Sequence, residues 1–187
     1  MAKKDLKIPP RALLVAGIIY SPEVELVDIL FVLKAAFGEV ILEAGPVDFT
    51  WTKYYEKEMG QGLKRYFVAF DNLVDQAALP EIKLQTMTLE DKWTQQEARR
   101  VNIDPGILTL ERLVLATTKN FTHRIYLGKG IYADLTLIYQ KGKFSVLDWT
   151  YPDYRSQFAL DFLTKARKRY LVMIKKQGKG VNLCSEA

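Results

Sequence analysis

An apolar run from Leu13 to Tyr20, LLVAGIIY, passes directly into Ser21-Pro22-Glu23, and this junction constrains the fold more than any other stretch of the chain. A short run rich in Val and Ile and closed by turn residues suits a strand buried on both faces of a sheet. Ser21 is then expected as a helix N-cap and Pro22 as the first helical residue. Glu23 and Glu25 would sit at the positive end of the helix dipole. Leu26, Ile29, Leu30, Leu33 and Phe37 recur at helical spacing, and Gly38 can close the helix. The fold is expected to begin with a β-α unit.

Glu39 to Phe49 reads as a strand interrupted at Gly45-Pro46, and Arg65 to Phe70, RYFVAF, as another, with the polar loop TKYYEKEMGQGLK between them. Pro80 can open a helix running to about Gln96, with Ile82, Leu89 and Trp93 on one side. Extended character resumes at Arg99 to Ile103 and is expected to end in a turn at Asp104-Pro105-Gly106. Strand, helix, strand, strand, helix, strand is the order of a ferredoxin-like β-α-β-β-α-β core. Ile131 to Tyr139 and Phe144 to Trp149 then read as a hairpin about Lys141-Gly142-Lys143. Ser156 can cap a last helix whose Leu160, Leu163, Ala166, Tyr170 and Ile174 form one stripe ending before Gly178. The expected fold is α+β: a mainly antiparallel sheet extended by a C-terminal β-hairpin and closed by a C-terminal helix. Leu108 to Thr118 fits either helix or strand.

With 187 residues, a single domain over 1–187 is expected, its ordered core at about 12–176 and a polar basic tail at 177–187. No stretch approaches the roughly 20 apolar residues of a membrane span, and the one cysteine, Cys184, permits no internal disulfide. A cytoplasmic location is expected, with no membrane partner. The net charge of +5 hides an asymmetry: residues 121–187 hold 12 Lys+Arg against 5 Asp+Glu. Much of that excess, including Lys165, Arg167, Lys168 and Arg169, falls on the last helix, as a solvated face or a surface for nucleic acid or an acidic partner.

Between Asn102 and Thr136 the chain gathers its only histidine, His123, with Thr117, Thr118, Lys119, Arg124 and Lys129. Hydroxyls and cations so close together suit an anion, and an imidazole beside an arginine can serve as acid or base next to an anion clamp. Gly128-Lys129-Gly130 permits close backbone approach but is also an ordinary turn, and there is no P-loop. One histidine excludes a histidine metal cage. An all-oxygen cation site would draw on Glu56, Glu58, Asp104, Asp134 and Asp153, although scattered carboxylates are usually surface charges. Trp149 to Arg155, WTYPDYR, either stacks a base with Arg155 on its phosphate or forms a packed corner before the last helix.

YSPE at 20–23, YYEKEMGQGLKRYF at 54–67, VNIDPGILT at 101–109, LVLATTKNFTHRIYLGKGIYADLTL at 113–137 and WTYPDYRS at 149–156 together resemble the bacterial family called domain of unknown function 4416, over about Leu13 to Tyr170. The resemblance implies a small bacterial intracellular protein without an established activity. Some members carry a GTP-binding label, but Thr118-Lys119-Asn120 is not the Asn-Lys-x-Asp that reads guanine.

Three functions are carried forward. The first is binding of a phosphorylated or nucleotide-like anion through Thr117, Thr118, Lys119, Arg124, Lys129 and Arg155. The second is a phosphate-ester hydrolase or transferase with His123 as acid or base and Asp104 or Glu56 as its partner. The third, ranked lowest, is a nucleic-acid or protein adaptor using the basic helix. No cofactor and no oligomeric state is implied, and the sequence leaves open whether the chain is an enzyme.

Overall fold

A computed structural model of the protein describes residues 8–181, with side chains through residue 176. Along the chain come β1 (Ala12–Tyr20), α1 (Leu26–Phe37), β2 (Val40–Asp48), α2 (Glu56–Met59), β3 (Lys64–Val74) and α3 (Leu79–Glu90). They are followed by β4 (Thr94–Gln95), β5 (Ala98–Arg99), β6 (Val101–Leu108), β7 (Arg112–Thr117), β8 (Arg124–Gly128), β9 (Ile131–Gln140), β10 (Lys143–Val146) and α4 (Gln157–Val181). The architecture is mixed α+β. One sheet, antiparallel throughout, runs β10-β9-β7-β6-β1-β3-β2 with β8 added beside β9, and β4 and β5 form a separate small hairpin.

Every residue of β1 is buried, as its unbroken apolar run requires. Strand alternation sends Leu14, Ala16 and Ile18 to one face, where they join Ile29 and Leu33 of α1 and Ile82 of α3. Leu13 and Val15 point the other way, onto Phe67 and Ala69 of β3 and onto Ala159, Phe162, Leu163, Ala166 and Tyr170 of α4. The predicted stripe of α4 thus covers the face opposite α1 and α3. Ser156 Oγ accepts the Ala159 N–H at 3.2 Å, the expected cap.

Several local expectations are corrected. The first helix starts at Leu26, because Ser21 to Val24 form a turn of their own, closed by the Val24 N–H on the Ser21 carbonyl. Gly38, at φ +100°, does end that helix on the Lys34 carbonyl. Helix α3 stops at Glu90, well short of Gln96, since Gln96 and Glu97 take positive φ to turn β4 into β5. The polar loop after β2 contains α2, whose Met59 is wholly buried against Ile19, Phe49 and Leu63. The ambiguous stretch after Leu108 is strand β7, so four strands, not one hairpin, extend the sheet. Helix α4 continues through Gly178 to Val181, and the rest of the expected tail, 182–187, lies outside the described residues.

Asp104-Pro105-Gly106 is not a turn but the middle of β6. All of β6 pairs with β1, whereas β7 joins it only at Gly106 to Leu108. Pro105, with no N–H to donate, stands just before that second ladder begins. Gly106 lets the strands meet closely, since a Cβ there would lie 2.7 Å from a Leu115 methyl and 2.9 Å from the Val114 carbonyl oxygen. N-terminal to this point β6 and β7 part and the sheet forks.

The outer side of β9 is shared: β8 covers Ile131 to Asp134 and β10 covers Leu137 to Gln140. Between them, Trp149 Nε1 donates to the Leu135 carbonyl at 2.8 Å and the Thr150 hydroxyl to the Thr136 carbonyl at 2.6 Å. Two side chains from the segment before α4 therefore satisfy the backbone that neither short strand reaches.

Candidate functional site

A cleft of about 660 Å³ opens in the fork. Asn102 and Asp104 of β6 line one prong, and Leu115 to Lys119 line the other. Lys83, Met87 and Glu90 come from α3, and Tyr54 and Tyr55 from the segment before α2. Asp134 comes from β9, and Tyr151 to Tyr154 from the segment before α4. The site exists because β6 and β7 diverge, and residues far apart in sequence meet across the gap.

Charges of alternating sign run beneath it. Glu58 holds Arg99 through two hydrogen bonds of 2.6 and 2.9 Å, and Arg99 reaches Glu90 at 3.3 Å. Lys83 lies 4.0 Å from Glu90 and 3.8 Å from Asp104. Arg65 follows, 3.9 Å from Asp104 and 2.7 Å from Asp153. Glu90 also accepts the Ile103 N–H at 2.7 Å, and Lys83 donates to the Ile103 carbonyl at 2.9 Å, so α3 is tied to β6 by polar as well as apolar contacts.

Arg65 is wholly buried, with its guanidinium over the rings of Phe67 and Tyr154 at 4.5 and 5.0 Å. Its approach to Asp153 is an ion pair without hydrogen-bond alignment, and Nε and Nη1 have no hydrogen-bond partner among the described residues. Burial works against its charge. Asp153, Tyr154, Asp104 and Tyr55 more than offset that, so it stays protonated above the ordinary arginine range. Burial raises the carboxyl of Asp153, against the pull of Arg65, and likewise raises that of Glu90, against the pull of Lys83. The phenols of Tyr55 and Tyr154 are pushed well above the usual tyrosine range, chiefly by burial, and are neutral hydrogen-bonding groups at physiological pH.

The family model described as Domain of unknown function (DUF4416) matches residues 10–170. The chain belongs to this family. No curated protein and no solved structure matches it.

In this DUF4416 protein the residues singled out from sequence divide into three groups. Asp104, Thr117, Thr118 and Lys119 line the cleft. Lys119 Nζ meets the Tyr54 hydroxyl at 2.7 Å and its ring at 4.4 Å, and forms no ion pair among the described residues. His123 and Arg124 stand behind the wall. His123 Nε2 lies 3.2 Å from Asp134, and its ring stacks on Trp149 at 4.7 Å with an interplanar angle of 12°. Arg124 bonds Asp134 at 2.9 Å, the Lys119 carbonyl at 2.9 Å and the Tyr151 hydroxyl at 2.6 Å, and so holds the Lys119 loop in place.

Glu56, Lys129 and Arg155 do not join them. Glu56 is half-buried on α2, outside the lining. Lys129 pairs with Glu81 at 2.7 Å on the surface. Arg155 is engaged by the carbonyls of Thr150, Leu147 and Asp148, so it belongs to a packed corner, while Tyr151 to Tyr154 of the same segment line the cleft. Among the described residues no three of His, Cys, Asp and Glu group as metal ligands. No helix there is long and apolar enough to cross a membrane.

Sequence reasoning missed Arg65, Lys83, Glu90 and Arg99. Arg65 had a legible signal, a charge opening the apolar strand RYFVAF. Lys83 and Glu90, seven residues apart on α3 and so on one helical face, carried a weaker one.

Proposed function

We propose that this chain binds a small phosphorylated, nucleotide-like ligand in the forked-sheet cleft. The observation that carries the reading is Lys119: a cation on the wall of a cleft, contacted by a tyrosine and by no carboxylate among the described residues. The cleft falls within the roughly 300–1,000 Å³ usual for small-molecule sites. Tyr54, Tyr55 and Tyr151 supply rings able to stack on a base, and Thr117 and Thr118 supply hydroxyls beside Lys119. Arg124 acts as a positioning residue for the Lys119 loop. Of the three residues considered for phosphate-ester chemistry, only Asp104 lines the cleft, which favours binding over hydrolysis through His123.

For the fold, we infer a ferredoxin-like half, supported by the order β6-β1-β3-β2 with α1 and α3 on one face, to which β7 to β10 are appended. A bacterial cytoplasmic setting belongs to the same proposal, supported by the family resemblance and by the single cysteine.

The test is a thermal-shift titration with inorganic phosphate, ribose 5-phosphate, AMP and CMP, on the wild-type chain and on Lys119→Ala. A phosphorylated compound is expected to raise the melting temperature in a concentration-dependent way, and Lys119→Ala to remove most of that rise. If no compound stabilises the wild type, or if the variant responds like it, the reading is wrong.

A further inference from the structure

Within the charge row four carboxylates face three cations, and Asp104 is the acid least tightly held. Its cations stand at 3.8 and 3.9 Å, whereas Glu58, Glu90 and Asp153 each have one at 3.3 Å or closer. Asp104 is also the member of the row lining the cleft from β6, and its side chain is 26% exposed. One hydrogen bond reaches it, from Asn102 Nδ2 to Oδ2 at 3.0 Å, and Oδ1 accepts none among the described residues. A carboxylate accepts hydrogen bonds at both oxygens, so the unused capacity of Asp104 lies on the cleft.

Tyr154 also forms part of the cleft wall, while its hydroxyl is sealed beside Arg65 and Gly17. Polar groups walled in by protein are nearly always satisfied, so a carboxylate oxygen left without a donor on a cleft wall marks a place for a polar ligand group. That group must donate to Asp104. An oxyanion would meet a like charge there, whereas an N–H donor is drawn to it.

We propose that Asp104 accepts a hydrogen bond from the exocyclic amine of a nucleobase, which makes the ligand an amino-bearing nucleotide and not a plain sugar phosphate. This rests on the reading that an anionic group sits at Lys119. The two ends of the ligand are then read by opposite charges, Lys119 on the phosphate and Asp104 on the base, with the tyrosine rings along the base plane. Lys83 and Arg65 stand behind the carboxylate at 3.8 and 3.9 Å, and Asn102 occupies the oxygen that the ligand does not use.

Isothermal titration of AMP, N6,N6-dimethyl-AMP and ribose 5-phosphate against the wild type, Asp104→Asn and Lys119→Ala separates the two claims, with CMP and N4,N4-dimethyl-CMP run in parallel. Removing a hydrogen bond to a charged acceptor is expected to cost about tenfold or more in affinity. The dimethylated bases should therefore bind the wild type at least about tenfold more weakly than AMP or CMP. Asp104→Asn should weaken AMP similarly and leave ribose 5-phosphate unchanged, while Lys119→Ala should weaken all of them. Equal affinity for amino and dimethylamino bases on the wild type overturns the role of Asp104 even if Asp104→Asn fails to fold, and leaves the anion reading standing. Lack of binding by every compound overturns both.

Discussion

The guanidinium of Arg65 fills the space that Gly17 leaves by having no side chain: a Cβ at position 17 would stand 2.5 Å from Arg65 Nη2 and 2.5 Å from the Tyr154 hydroxyl. The first strand thus gives up a side chain in its middle so that an arginine on the neighbouring strand can be buried. Gly17→Ala should lower unfolding stability by about 1–3 kcal/mol, because neither the sealed guanidinium nor the rigid phenol can retreat into solvent. Urea unfolding measures it, and an unchanged midpoint would mean that the buried cluster has slack.

Arg65→Leu should be far more costly, about 3–5 kcal/mol, since it leaves the buried Asp153 without its cation and Asp104 with Lys83 alone. Adding Asp153→Asn to that variant should recover part of the loss. A double-mutant cycle in which the two changes simply add would show that the pair is not coupled.

His123→Ala should act on stability more than on ligand affinity. Asp134 would keep Arg124 and the Thr136 hydroxyl at 3.3 Å but lose the imidazole, a change of about 1–3 kcal/mol. Trp149 would lose the ring stacked on it, so its fluorescence should shift in the same variant. Abolished ligand binding at unchanged melting temperature would put His123 in contact with ligand after all.

The pH dependence of stability should carry a signature of Glu90. Its carboxyl, raised chiefly by burial above the ordinary value of 4.5, binds its proton more tightly folded than unfolded. The stabilisation that this gives is complete below the unfolded value and is lost as pH rises through the folded one. Glu90→Gln should therefore flatten the fall in stability above about pH 4.5. Unfolding curves at intervals between pH 4 and 8 would show the flattening, and parallel profiles for the two chains would refute it.

How far the site could be read from the chain depended on the range of the signals. The buried strand β1, the α4 stripe and the Thr117 to Lys119 cluster are legible because each is a local pattern. Asp104-Pro105-Gly106 has the composition of a turn, but its proline and glycine answer to long-range needs, the start of a second ladder and close contact with Leu115 and Val114. Missing the fork meant missing the cleft. Lys83, Arg99 and Arg65 lie on three separate elements, and only the parting of β6 and β7 places them under one floor. Lys129 was suggested by its flanking glycines and basic neighbours and Arg155 by the aromatics beside it, and their partners, Glu81 and three backbone carbonyls, leave no trace in spacing.

Trp149 and Thr150, between the two short strands that cover β9, have a consequence for how copies of this chain behave in a crowded solution. A long bare strand edge is an invitation to add another strand, and proteins that leave one open tend to clump. Here that border is cut into short lengths and its gap closed by an indole and a hydroxyl. Two side chains immediately before the cleft-lining Tyr151 thereby help keep each copy from templating its neighbours.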